Sequence, residues 1–107
     1  MDNPDSTLHA GDQKVDAVVG SENRVTLDQL HDKVSSAEYF HPASAPTLTI
    51  AVLTLDNGFS IVGKSACADP KKFNKTLGQQ LAFDDAIRKL WAFEGYLLRQ
   101  RLHEEAQ

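Results

Sequence analysis

Two mostly apolar runs, Leu48 to Leu55 and Phe59 to Ala66, are separated by Asp56 and the pair Asn57-Gly58. Asn-Gly readily adopts positive φ angles, so a two-residue type I′ turn is favoured between paired strands. The pattern predicts a β-hairpin over residues 48–66. With this turn Leu53 faces Val62, and the ribbon has two faces: Ile50, Val52, Phe59 and Ile61 on one, and Ala51, Leu53, Leu55 and Val62 on the other.

Both faces of the predicted hairpin are therefore apolar. A small domain covers one face of a sheet with its own helices, and a second apolar face calls for another layer or another chain. This pattern is the first indication of a homo-oligomer.

A long helix is predicted in the C-terminal third. Asp69-Pro70 is a natural helix start, and no further proline follows between Lys71 and Leu102. A helix of that length spans about 45 Å at 1.5 Å per residue. Since a folded unit of 85 residues is roughly 30 Å across, the helix either breaks at a weak position or projects. The weak positions are Gly78, Asp84 and Gly95.

Apolar residues cover more than half of this helix from Phe83 onward, whereas a surface helix needs a single apolar stripe. The excess predicts contact with both its own sheet and a second chain. The alternative is a central helix in a monomer. The predicted oligomer interface is Phe83, Leu90, Trp91, Leu97 and Leu98.

The N-terminal part is predicted to hold one short helix and one short strand. Thr26 followed by Gln29 has the spacing of a capping box, which predicts a helix from Leu27 to Val34. A strand over residues 37–41 would end at Pro42. Residues 1–22 lack sustained periodicity and are expected to form a flexible acidic tail. The prediction is one α+β domain over residues 23–107, in which a small antiparallel sheet packs against a long C-terminal and a short N-terminal helix.

Charge is distributed unevenly along the 107 residues. The chain has 15 acidic and 11 basic residues, a formal net charge of -4, which disfavours binding to a duplex nucleic acid. Residues 1–34 hold seven acids and three bases, and residues 57–101 hold four acids and eight bases. No apolar run is long enough to span a bilayer, and the N-terminus lacks the pattern of a signal peptide. We therefore expect a cytoplasmic protein with no membrane partner.

Catalytic patterns are not apparent. The four histidines lack the spacing of zinc ligands, Asp84 and Asp85 point in different directions on a helix, and the six glycines form no phosphate loop. The single cysteine, Cys67, has no partner thiol. We expect a binding protein rather than an enzyme, with no metal and no cofactor.

Three segments carry a family resemblance: NGFSIVGKSACADPKKF, LG and AIRKLWAFEGYLL. They resemble the Gp-forty-nine-like family of small phage proteins over about 45 residues, with residues 1–40 standing outside as a variable leader. The distinctive features are Ser65-Ala66-Cys67, Asp69-Pro70 and the sequence from Trp91 to Leu98.

The chain also resembles the Thoeris anti-defence sponges of the first type, which sequester cyclic nucleotide immune signals. The shared features are small size, a β-hairpin, a long helix and the expected oligomeric state. The resemblance implies a phage or prophage counter-defence protein in the host cytoplasm. It would bind a cyclic ADP-ribose type signal or a cyclic oligonucleotide without turnover. The alternatives are an inhibitor that blocks a host defence protein and an accessory protein of the phage particle.

A cyclic nucleotide presents phosphates and flat bases, so its binding site needs cationic or N–H donors and a stacking plane. The candidate ligand-binding residues are Lys64, Ser65, Phe73, Arg99 and Arg101. The helix start near Asp69 offers further N–H groups. Solvated surface positions remain the alternative for the bases, and core packing for Phe73.

Overall fold

Three antiparallel strands and one long helix make up residues 23–107, the part of the chain that the computed structural model describes. Residues 1–22, where the acidic tail is predicted, lie outside it. The sheet order is β1-β2-β3, and the α+β prediction is confirmed. The elements are α1 (Leu27–Asp32), β1 (Val34–Phe40), β2 (Leu48–Leu55), β3 (Ser60–Ala66), a 3₁₀ turn (Pro70–Lys72) and α2 (Lys75–Glu105).

The β2–β3 hairpin exists, but the predicted register is wrong by one residue. Leu53 pairs with Ile61, not with Val62. The loop has three residues rather than two, because Leu55 N–H donates to Phe59 O at 2.8 Å and Gly58 N–H donates to Leu55 O at 2.9 Å. Gly58 has a φ of 87°, whereas Asn57 has no positive φ, which excludes a type I′ turn and fits a type I turn with a glycine bulge.

This shift of one residue moves every side chain of β3 to the face opposite the one predicted. Ile61 lies on the inner face with Ala51 and Leu53, where it is buried, and Val62 lies on the outer face. The inner face packs against both helices through one core cluster. Its largest buried side chains are Leu27, Leu30, Leu53, Ile87 and Leu90.

Helix α2 runs without a break for 31 residues. It begins at Lys75 rather than at the predicted Lys71, because two caps follow each other. Asp69 accepts the Lys71 N–H at 3.0 Å and caps the 3₁₀ turn, and Asn74 accepts the Leu77 N–H at 3.0 Å and caps α2. The last fully buried residue is Leu90, so about 22 Å of helix extends beyond the core.

The capping box of α1 is confirmed by both of its hydrogen bonds. Gln29 N–H donates to Thr26 Oγ1 at 3.2 Å, and Thr26 N–H donates to Gln29 Oε1 at 3.0 Å. The helix nevertheless ends at Asp32, and Val34 begins β1 by pairing with Leu55 instead of closing the helix as predicted. Strand β1 is therefore longer than the predicted strand.

Helix α2 lies unusually close to β3 at Gly63. A Cβ atom at this glycine would overlap the Ala82 carbonyl oxygen and would stand 2.5 Å from the Ala86 nitrogen. The contact therefore requires glycine on the strand and small residues on the helix. On either side of it, Asp85 accepts the Lys64 N–H at 2.9 Å, and Lys89 Nζ donates to Val62 O at 2.7 Å.

We expect Gly63→Ala to lower the free energy of unfolding by about 1–3 kcal/mol, because the methyl group forces backbone to move in a packed interface. Gly95→Ala is the matched control. Gly95 is a residue of α2, and a Cβ atom added there would meet nothing within 4 Å. The control should gain up to roughly 1 kcal/mol from helix propensity. Urea unfolding followed by circular dichroism measures both, and equal effects would contradict the close approach.

Tyr39 of β1 provides a pH prediction. Burial, and secondarily the charge of Asp84, raise the pKa of the Tyr39 phenol above its ordinary value of 10.0. In the folded state the phenol therefore keeps its proton at pH values where the unfolded chain has lost it. Stability should be unaffected below pH 10 and should fall as the pH rises above it. Urea unfolding between pH 8 and pH 11 tests this, and Tyr39→Phe should have a weaker pH dependence; an equal decline in both proteins would contradict it.

Candidate binding groove

A groove of ≈ 640 Å³ lies where the projecting part of α2 passes α1 and the hairpin loop. Its volume falls in the range of small-molecule sites, roughly 300–1,000 Å³. Three separate segments line it. They contribute Asn23, Arg24, Val25, Gln29, Asp32 and Lys33 from around α1, Asp56 from the hairpin loop, and Glu94, Leu97, Leu98 and Arg101 from α2.

Two local features fix the position of one wall of the groove. The capping box fixes where α1 begins, and the Asp56 N–H donates to the Lys33 carbonyl at 2.9 Å, which ties the hairpin loop to the end of α1. Opposite them, α2 continues past the edge of the core as a straight wall. The space between the walls is therefore part of the fold.

Within residues 23–107, the lining carries three cationic and three anionic side chains. The cations are Arg24, Lys33 and Arg101, and the anions are Asp32, Asp56 and Glu94. Lys33 Nζ lies 3.5 Å from Glu94 Oε1, and both side chains keep contact with solvent. Arg101 Nε lies 3.5 Å from Glu105 Oε2, and this pair is largely exposed. Exposed pairs of this kind contribute little stability, so a ligand can replace them at small cost.

An apolar wall complements these charges. Val25, Leu97 and Leu98 face the groove, and Leu97 is 57% exposed. No aromatic side chain is among the lining residues that the structure describes. A flat ring would therefore rest on aliphatic groups or on a guanidinium plane, as arginine allows.

Arg101 is the one predicted ligand residue that lines this groove. Arg99 is exposed and is not part of the lining. Ser65 and Phe73 lie near the start of α2, and the helix between Lys75 and Arg99 alone covers about 36 Å. Lys64 lies beside Asp85, which accepts its N–H, and about 24 Å of helix separates Asp85 from Arg101. One chain therefore does not bring the five predicted residues together.

Ser65 and Phe73 each have a local side-chain contact. Ser65 Oγ donates to the Gly78 carbonyl at 2.9 Å, and the Phe73 ring meets the His41 ring edge to face, with centroids 6.1 Å apart. Lys64 stands on the outer face of the sheet with its side chain exposed. The Lys71 N–H, which was expected to be available to an anion, is taken by Asp69.

Ser65 and Phe73 share a second, smaller cavity of ≈ 190 Å³. Its lining is mostly apolar and includes Leu77, Leu81 and Cys67, whose Sγ donates to the Asp69 carbonyl at 3.2 Å. The volume is below the usual range for a ligand site. The larger groove is therefore the better candidate.

The five predicted interface residues differ in exposure. Phe83 and Leu90 are buried in the core of their own chain, and Trp91 packs partly against it. Leu97 and Leu98 line the groove. Surface contact with a second chain is therefore available to Leu97 and, in part, to Leu98 and Trp91.

Arg24, Lys33, Asp32, Asp56 and Glu94 were not predicted as site residues. They come from three segments whose proximity depends on the register of the hairpin and on the path of α2. The cluster of charged residues around the capping box was the one feature of the sequence that could have pointed to this groove.

Two features are absent from the part of the chain that the structure describes. Within residues 23–107, no group of three or more His, Cys, Asp or Glu side chains could hold a metal ion. In the same part of the chain, no helix is long and apolar enough to cross a membrane.

Residues 11–102 match the phage protein (N4 Gp49/phage Sf6 gene 66) family. This match confirms the predicted resemblance to the Gp-forty-nine-like phage proteins. It also corrects its extent, since the matched region begins at residue 11 and includes most of the segment that was predicted to be a variable leader. No curated protein and no solved structure shows a significant similarity to the chain.

Proposed function

The chain belongs to the phage protein (N4 Gp49/phage Sf6 gene 66) family, and we propose that it sequesters a cyclic nucleotide immune signal of the bacterial host. The signal would be of the cyclic ADP-ribose type or a cyclic oligonucleotide. The protein would act in the cytoplasm of an infected or lysogenic cell, binding the signal without converting it.

The observation that carries this proposal is the groove with Arg24, Lys33 and Arg101 on its walls. Arginine and lysine side chains supply charge-assisted hydrogen bonds to phosphate oxygens. Three cations from opposite walls can contact two phosphates of a compact cyclic ligand. The volume of ≈ 640 Å³ accommodates a ligand of that size.

The three carboxylates fit the remaining groups of a nucleotide. Asp32, Asp56 and Glu94 are acceptors for ribose hydroxyls and for the exocyclic amines of bases. A lining of balanced charge disfavours simple polyanions, because a ligand must offer hydrogen-bond donors as well as phosphates. The groove therefore supports a nucleotide more than inorganic phosphate or a nucleic-acid backbone.

We expect Arg101→Ala to weaken nucleotide binding about 10- to 100-fold, the equivalent of losing one hydrogen bond to a charged group. Isothermal titration of the full chain against cyclic ADP-ribose and a panel of cyclic dinucleotides and trinucleotides measures the effect. Chromatography of the recovered ligand should return it unchanged.

Arg88→Ala is the matched control, because Arg88 is an exposed arginine of α2 that does not line the groove. It removes the same charge from the same helix and should leave the affinity unaltered. No heat with any nucleotide of the panel would refute sequestration. Equal losses in both variants would refute the placement of the ligand.

A second function is favoured by the aromatic surface beside the hairpin loop. Phe59 and Phe93 meet edge to face with centroids 6.0 Å apart, and both are about half exposed. Tyr96, on the next turn of α2, is 69% exposed. Exposed aromatic residues are typical of protein interfaces, which supports an inhibitor of a host defence protein. In that case Tyr96→Ala would abolish the protection of the phage against host defence in an infection assay, while Arg101→Ala would not.

A further inference from the structure

The outer face of the sheet is apolar at its centre and lies on the side away from both described helices. Ile50 and Val52 of β2 occupy the middle of this face, between Phe40 of β1 and Val62 of β3. Phe40 is 49% exposed and Val62 is 47% exposed. An apolar patch of this kind on a small domain marks an interaction surface.

The strand register arranges this face in three rows that run across the sheet. The first row is Phe40, Ile50 and Lys64; the second is Glu38, Val52 and Val62; the third is Ser36, Thr54 and Ser60. The apolar centre is thus bordered by an acid on β1 and a base on β3. These opposite charges lie on opposite edge strands.

We propose that a second copy of the chain covers this face, related to the first by a two-fold axis parallel to β2. Such an axis places β1 of one copy over β3 of the other. Ile50 and Val52 then meet their own counterparts, and the Phe40 ring lies over Lys64 of the second copy, where it can stack on the side-chain stem and its cation.

The charges make this arrangement self-complementary. Glu38 of one copy lies over Val62 of the other, one two-residue step, about 7 Å, from Lys64. Two long side chains bridge that distance, so each dimer gains two Glu38–Lys64 contacts across the interface. The same register therefore supplies both the apolar centre and the charge pairing, which a chance partner would not match.

The resulting dimer is a two-sheet sandwich with the sheets about 10 Å apart and a copy of α2 on each outer side. Three strands of seven residues cover about 340 Å² per copy, well below the roughly 800 Å² per partner of a standard interface. We therefore expect a dimer that depends on concentration.

Sedimentation equilibrium of the full chain from micromolar to millimolar concentration tests the interface through charge reversal. Glu38→Lys and Lys64→Glu should each weaken dimerisation at least tenfold, because each places like charges across the axis. The double variant, Glu38→Lys with Lys64→Glu, should recover most of the affinity. Circular dichroism verifies that the variants fold, as both positions are exposed.

Lys75→Glu is the control for net charge, since Lys75 is exposed at the start of α2 and lies off this face. It should leave the dimer unaffected. A wild-type chain that stays monomeric throughout, or single reversals without effect, would overturn the proposal, as would a double variant as weak as the single ones. Nucleotide titration at monomer concentrations is a separate measurement, so failure of the dimer and failure of sequestration are distinguishable.

Discussion

The direct contact between the backbone of α2 and Gly63 of β3 is the constraint on which the rest of the structure depends. Because no side chain separates helix and strand there, Ala82 and Ala86 fix both the position and the rotation of α2 on the sheet. That rotation turns Asp85 and Lys89 toward the backbone groups of β3. It also directs Ile87 and Leu90 into the core. The remaining half of the helix then leaves the sheet and forms one wall of the groove.

Elements with local signals were predictable from the sequence. The capping box at Thr26 and Gln29 located α1, and the apolar runs around Asn57-Gly58 located the hairpin. The register was not predictable, because Asn57-Gly58 fits both a two-residue and a three-residue loop. In the structure Asp56 joins the loop, and Asn57 accepts the Phe59 N–H at 3.0 Å. Only the packing of the inner face decides between the two loop lengths, because this packing places Ile61 on the inner face.

The groove was less accessible to sequence reasoning than the fold. Arg101 was identified as a cation near the helix end, but its neighbours Arg24 and Lys33 are about 70 residues away in the chain. Their proximity follows from the unbroken path of α2, whereas the sequence left a break at Gly78, Asp84 or Gly95 open. Ser65 and Phe73 line one small cavity, and the length of the same helix keeps them apart from Arg101.

The hydrogen bonds of Asp85 and Lys89 to β3 have a consequence for uncontrolled assembly. They occupy backbone groups that would otherwise template an added strand, so this side of the sheet is closed to extension. The other edge strand, β1, contains a register shift between Val34 and Ser36. A continuous cross-β filament needs two edge strands with free backbone groups on every subunit. A single chain with one edge closed can join edge to edge only once, so edge pairing of single chains ends at two copies.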